Sequence, residues 1–177
     1  LDNNLGSGTQ SGLQSWDFDA NNFTGWFFIP PLAVDPLNAG RILLAGGSLS
    51  GSGQHLIDLS FNGSSFSASE VSFDFGAAVT AVAFSPNGST RYAINDNSAF
   101  FRQVGAGTWS QRTTGLPDNH FFFGNRILPD PVRSNTIYVA GSGYSGPGVY
   151  VSTNNGDSFT AMSTDLPSTM VFDLAMS

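Results

Sequence analysis

The chain has 177 residues, of which 11% are charged, well below the roughly 25% of an ordinary globular domain. It contains no lysine; 13 acids against 6 arginines leave a formal charge of −7, which excludes the clustered cations that nucleic acid or an anionic membrane surface would need. No apolar run approaches the ~20 residues of a membrane-spanning helix, so membrane insertion is not expected, and the absence of cysteine removes disulfide and thiol chemistry.

Residues 1–26 read as loop-like sequence. Within them, the alternation of oxygen-bearing side chains at Asp17, Asp19 and Asn21 is the candidate Ca²⁺ site. The segment lacks the glycine and the closing glutamate of the standard calcium loop, so a solvated polar loop and no cofactor is the preferred reading. From residue 27 onward, short β-branched and aromatic runs alternate every 8 to 12 residues with Gly, Asn, Ser or Pro, the pattern of an all-β architecture. Three segments share one grammar of apolar strand, [Asp/Ser]-Pro turn, short polar loop and second apolar strand. They run through Asp35-Pro36 to Arg41–Gly46, through Ser85-Pro86 to Arg91–Ile94, and through Asp130-Pro131 to Thr136–Gly141. The marker prolines Pro36, Pro86 and Pro131 lie 50 and 45 residues apart.

Each unit continues with a third strand and a turn into a fourth. Four strands per unit of about 45–50 residues describe the four-stranded antiparallel blade of a β-propeller. The expected divisions are blades over 27–76, 77–119 and 120–168. Residues 169–177 then form the first strand of a further blade, where Leu174-Ala175-Met176-Ser177 echoes Val82-Ala83-Phe84-Ser85. Residues 1–26 would be loop and outer strand of a preceding blade. That makes about 3.5 blades, whereas the smallest propellers close with four or more. The expectation is a segment of a larger propeller, or a ring completed by further polypeptide or as a homo-oligomer. A four-bladed ring finished by the N-terminal stretch is the alternative.

The turns carry Asn62-Gly63, Asn87-Gly88 and Asn155-Gly156, dipeptides that accept the positive φ of tight turns. Phe66, Trp109 and Phe159 open the fourth strands and are expected to pack between blades. Phe121, Phe122 and Phe123 cannot all face one core, because strand side chains alternate. Inter-blade packing is expected there, with a sugar-stacking surface or subunit contact as the other reading.

The stretch Ser152-Thr153-Asn154-Asn155-Gly156-Asp157-Ser158-Phe159 resembles the Asp-box, Ser/Thr-x-Asp-x-Gly-x-Ser/Thr-Trp/Phe, with Asn154 standing where the motif has aspartate. The copy at Ser60–Phe66 is one residue short, and that at Gly105–Trp109 keeps only Thr108-Trp109. The motif recurs in sialidases, xyloglucan-degrading glycosidases, sortilin-type receptors and exported bacterial propellers, and the resemblance covers roughly residues 27–177. It implies a propeller in which Ser152, Asn154, Gly156, Ser158 and Phe159 hold a turn. With the lysine-free, Ser/Gly/Asn-rich surface, it points to a secreted protein, extracellular or periplasmic. It does not specify a task, because the fold hosts hydrolases, receptors and assembly factors alike.

Of the chemistry these relatives use, a sialidase-type site needs three converging arginines. Here Arg41 and Arg91 hold the same place in the repeat and are expected to serve the blade. A two-carboxylate glycosidase needs acids about 5 to 10 Å apart. Asp35 and Asp130 precede proline in equivalent turns and read as structural. Asp173, in a first strand near the channel, is the candidate catalytic acid. His55 and His120 are isolated and show no zinc spacing, so no metal site is expected. The sequence therefore predicts a non-catalytic exported module for binding or assembly, contacting protein or glycan; the alternative is a fragment of a glycoside hydrolase.

Overall fold

The computed structural model describes residues 30–45, 54–112, 115–117, 123–142, 146–162 and 170–176. Asp17, Asp19, Asn21, Phe121 and Phe122 lie outside these residues, and Phe123 opens a strand. The first sheet comprises β1 (Leu32–Asp35), β2 (Asn38–Ala45), β3 (Leu56–Phe61) and β4 (Phe66–Glu70). The second comprises β5 (Val79–Phe84), β6 (Thr90–Asn95), β7 (Phe100–Val104) and β8 (Ser110–Arg112). The third comprises β9 (Phe123–Pro129), β10 (Ile137–Ser142), β11 (Val149–Ser152) and β12 (Thr160–Ala161). Every sheet is antiparallel in chain order, and no helix occurs among the described residues. These are three successive blades of a partial β-propeller.

The blades stack through their first strands, with β5 lying between β1 and β9. That placement explains the sequence of β5, Val-Thr-Ala-Val-Ala-Phe, which is buried at all six positions: a strand covered on both faces has no polar side to show. Ala81 and Ala83 face the third blade, in a core with Ile127, Val139, Tyr150 and Phe159. Val79, Val82 and Phe84 face the first, with Leu43, Ala45 and Leu56. A register shift between Val79 and Ala81 puts Val79 and Val82, three residues apart, on one face. The aromatics that open the fourth strands point to the preceding blade: Trp109 joins the core between the first and second blades, and Phe159 that between the second and third.

Residues 170–176 continue the pattern without forming a sheet. The Val171 N–H donates to the Gly141 carbonyl at 3.0 Å, and Asp173 pairs with Arg126 of β9 at 3.0 Å. Ala175 and Met176 then reach the turn at Asp130–Arg133. The segment thus runs beside β9 in the same direction, as β9 runs beside β5.

One aromatic outside the repeat pattern organises the core between the first two blades. Phe75, in the connection from β4 to β5, is 2% exposed and meets Phe73 and Phe101 edge-on at 5.0 Å and Trp109 at 5.1 Å. Phe75→Ala is expected to lower the free energy of unfolding by about 3–5 kcal/mol in a denaturant titration, through lost burial and the cavity left behind.

Candidate functional site

The turns joining first to second strands and third to fourth strands gather at one end of the blades, and there side-chain oxygens are bonded to backbone. Asp35 Oδ1 accepts the Leu37 N–H at 2.9 Å; Asp130 Oδ1 accepts those of Val132 and Arg133 at 2.9 Å, while its Oδ2 takes Arg133 Nε at 2.7 Å. In the second blade Ser85 does the same work, its Oγ accepting the Thr90 N–H at 2.9 Å. All three residues are buried. A proline after each fixes φ and gives up a donor the turn does not need.

The 152–159 turn is built the same way. Ser152 Oγ accepts the Gly156 N–H at 2.8 Å and donates to Asn154 Oδ1 at 2.9 Å, which also accepts the Ser158 N–H at 2.9 Å. Asn154 Nδ2 donates to Ser158 Oγ at 2.9 Å, a bond an aspartate could not make. Asn155 and Gly156 both adopt positive φ, 60° and 85°.

That turn is also the clamp between the second and third blades. The Tyr92 hydroxyl donates to Asn155 Oδ1 at 2.5 Å, and Arg102 Nη1 donates to the Asn155 carbonyl at 2.6 Å. Asp157 receives both Arg102, at 3.2 Å, and Arg112. Gly156 lies so close to the Phe100 ring that an added Cβ would sit 2.4 Å from Cε1. Burial pushes the Tyr92 phenol above its ordinary range, against opposing pulls from Thr90 and Arg102, so it is a neutral donor here. Beside the clamp a cleft of about 230 Å³ opens between the Ser85–Thr90 and Asp130–Thr136 turns, floored by Tyr92 and Asn155. Its lining is hydroxyl, amide and proline. Its acid is Asp130, whose two oxygens are already bonded, so the cleft suits a neutral polar group better than proton transfer.

A second charged cluster joins the first and second blades. Asp58 on β3 accepts Arg41 Nε at 3.1 Å and Nη2 at 2.6 Å, and Arg91 Nη1 from β6 at 3.1 Å. The Asp58 hydrogen bond raises the Arg41 pKa, whereas burial, followed by repulsion from Arg41, lowers that of Arg91. The two arginines sharing a repeat position therefore converge on one carboxylate that couples two blades.

Asp173 lies elsewhere. Its side chain is 73% exposed, pairs with Arg126, and caps the Leu174 N–H at 2.8 Å. It lines neither the 230 Å³ cleft nor the one formed by Asp130–Arg133 with Ala175 and Met176. At the opposite end of the blades, His55 Nδ1 lies 3.0 Å from the carbonyls of Val71 and Phe73. Asp74 nearby accepts the Gly76 N–H at 2.8 Å and the Gln54 N–H at 3.0 Å. Among the described residues no three His, Cys, Asp or Glu side chains gather as metal ligands. Sequence reasoning missed Asp58, Tyr92, Arg102 and Asp157. The signal for the tyrosine was available, because Tyr92 and Tyr138 occupy one register position, opposite Ala83 and Leu128.

Two outcomes are expected from this geometry. Gly156→Ala should destabilise the chain by roughly 2–4 kcal/mol in denaturant unfolding, combining strain at positive φ with a clash against Phe100. Backbone N–H donors, from Arg133 then Val132 for Asp130 and from Gly76 then Gln54 for Asp74, hold both carboxyls below the ordinary carboxylate range. A folded-state pKa below the unfolded one gives stability that is complete above about pH 4 and is lost as pH falls through the folded value. Unfolding midpoints measured from pH 6 to pH 2 should therefore fall below about pH 4, and Asp130→Asn should flatten that fall.

No family model matches the sequence, and no curated protein does. Solved structures do. The GH74 enzyme of Niastella koreensis aligns with a TM-score of 0.59 at 24% identity, over 76% of this chain and 22% of its own. YCF48 bound to D1 peptide aligns with a TM-score of 0.53 at 14% identity, over 79% of this chain and 40% of its own. This chain thus spans less than half the length of either. At such identities the likeness is one of fold, and both neighbours are β-propeller proteins.

Proposed function

We propose that this chain is a binding and assembly module of an exported, Asp-box-type β-propeller, and that the outer face of its first blade is covered by further polypeptide. One observation carries the reading. Counting back from the equivalent turn residues Asp35, Ser85 and Asp130, Leu32 matches Val82 and Ile127, and Val34 matches Phe84. Val82, Phe84 and Ile127 are 7%, 8% and 2% exposed, buried against the preceding blade, whereas Leu32 and Val34 are 59% and 47% exposed. The same repeat position carries the same apolar residues, and in the first blade they face outward. A row of this kind marks a contact surface. The acidic, lysine-free and cysteine-free composition supports an extracellular or periplasmic setting.

The competing reading, a glycoside hydrolase, takes its support from the GH74 neighbour and from the placement of Asp173 beside β9. It requires a second acid within about 10 Å of Asp173, and loses its footing if xyloglucan is not hydrolysed by the native assembly.

Leu32→Asp combined with Val34→Asp is expected to change the stability of the isolated chain by no more than about 1 kcal/mol, because neither side chain is buried in it. The same pair should abolish association. The measurement is native mass beside denatured mass: a native species of 18.6 kDa alone overturns the proposal.

A further inference from the structure

The segment 171–176 presents an unpaired strand edge. Each of the inner strands β1, β5 and β9 is paired along its length with a second strand. Residues 171–176 hold the corresponding place next to β9, yet among the described residues they pair with no strand. Their backbone bonds are limited to Val171 N–H on Gly141 and the local cap from Asp173 to Leu174 N–H. Phe172 is 71% exposed and Met176 39%. The structure also holds the landing point for the outer part of a following blade. Tyr138 occupies the register place of Tyr92, the donor that grips the turn of the next blade, and its hydroxyl is engaged by Arg133 instead.

We propose that residues 171–176 bind an extended, antiparallel strand of another polypeptide, one with the alternating apolar pattern of β2, β6 and β10, and so nucleate a fourth blade. The inference deepens the assembly reading and rests on it, but at the opposite end of the chain from Leu32 and Val34. A strand is the occupant the geometry selects, since a row of backbone N–H and C=O groups repeating every second residue is matched by another strand and by little else.

The repeat also fixes which groups point at the newcomer. The N–H of Ser85 donates to Thr90 at 2.8 Å and that of Asp130 to Thr136 at 2.9 Å, both toward the second strand. Two residues earlier, Ala83 and Leu128 face the same way. Ala175 is their equivalent, whereas Leu174 and Met176 turn their N–H groups toward the channel.

Proline substitution separates the two classes, since it removes a donor while keeping φ within the range of a strand edge. The probe is a synthetic peptide with the sequence of residues 134–142, the second strand of the third blade, titrated against the full chain with a scrambled peptide as control. The expected result is binding to wild type and to Met176→Pro with affinities within about threefold of each other, and to Ala175→Pro about tenfold or more weakly. Unchanged unfolding midpoints for both variants show that neither acts through the fold. No binding of the peptide up to about 1 mM overturns the inference. So does equal loss in both variants, or survival in Ala175→Pro, which would indicate side-on docking against Phe172. The Leu32/Val34 result is independent of all these outcomes, so failure here leaves the assembly reading to its own test.

Discussion

The constraint on which the structure depends is that each blade is a single sheet with two faces, and both must be covered. A lone four-stranded antiparallel sheet would expose an apolar side; stacked radially, each sheet becomes the cover of the next. β5 shows the outcome, with alternate side chains committed to opposite neighbours and none left for solvent. The division of labour is also visible in side-chain size. Alanines at 81 and 83 meet the bulky Ile127, Tyr150 and Phe159, while Val82 and Phe84 meet Leu43, Ala45 and Leu56. Small residues facing large ones let two twisted sheets approach closely, and Gly124 carries this furthest, since a Cβ there would lie 2.6 Å from Ile94 Cδ1.

Apolar burial sets that blades stack; polar clamps set how. The first and second blades are tied by Asp58 between Arg41 and Arg91, the second and third by Asn155 and Asp157 gripped by Tyr92, Arg102 and Arg112. The two clamps sit on different strands and use different residues, although the apolar frame beneath them repeats. Mutual attraction in such part-buried pairs is offset by desolvation, and lowering of the Arg91 pKa by burial is a sign of that cost. Their contribution lies in register and orientation: a hydrogen bond such as Tyr92 to Asn155 forms at one relative setting of two sheets, where oily contacts tolerate several.

This difference explains what could be read from the sequence. Strands, blade limits and the end of the chain that carries the turns follow from spacing, because a repeated fold writes the same local pattern several times over. Asp35, Ser85 and Asp130 were legible as structural for that reason, and their bonds to their own backbone fit it. The clamps were not legible. Asp58 lies 33 residues from Arg91, and Tyr92 lies 63 from Asn155, so no local window contains both partners. Phe75 was hidden by another route: it belongs to a connection between blades, where the repeat imposes no pattern, and its importance appears only when Phe101 and Trp109 close around it. Asp173 was singled out because an acid is unexpected in an inner strand. In the fold the segment lacks a second strand, and the carboxylate is turned outward onto Arg126.

The count of acids therefore says less about chemistry than it first suggests. Twelve aspartates in a chain with a single glutamate would look like material for a hydrolytic site. Yet Asp35, Asp74 and Asp130 accept backbone N–H groups, and Asp58 and Asp157 neutralise arginines between blades. Such carboxylates are held ionised by fixed donors, the opposite of what a general acid near neutral pH requires. What the fold leaves exposed is of another kind: apolar positions on the outer face of the first blade and a bare backbone edge beside the third. Both are features that another polypeptide satisfies and a small substrate does not. The physical demand of a stack of two-faced sheets is continuation, and the groups that would meet a continuing blade are the ones not already bound to the chain itself.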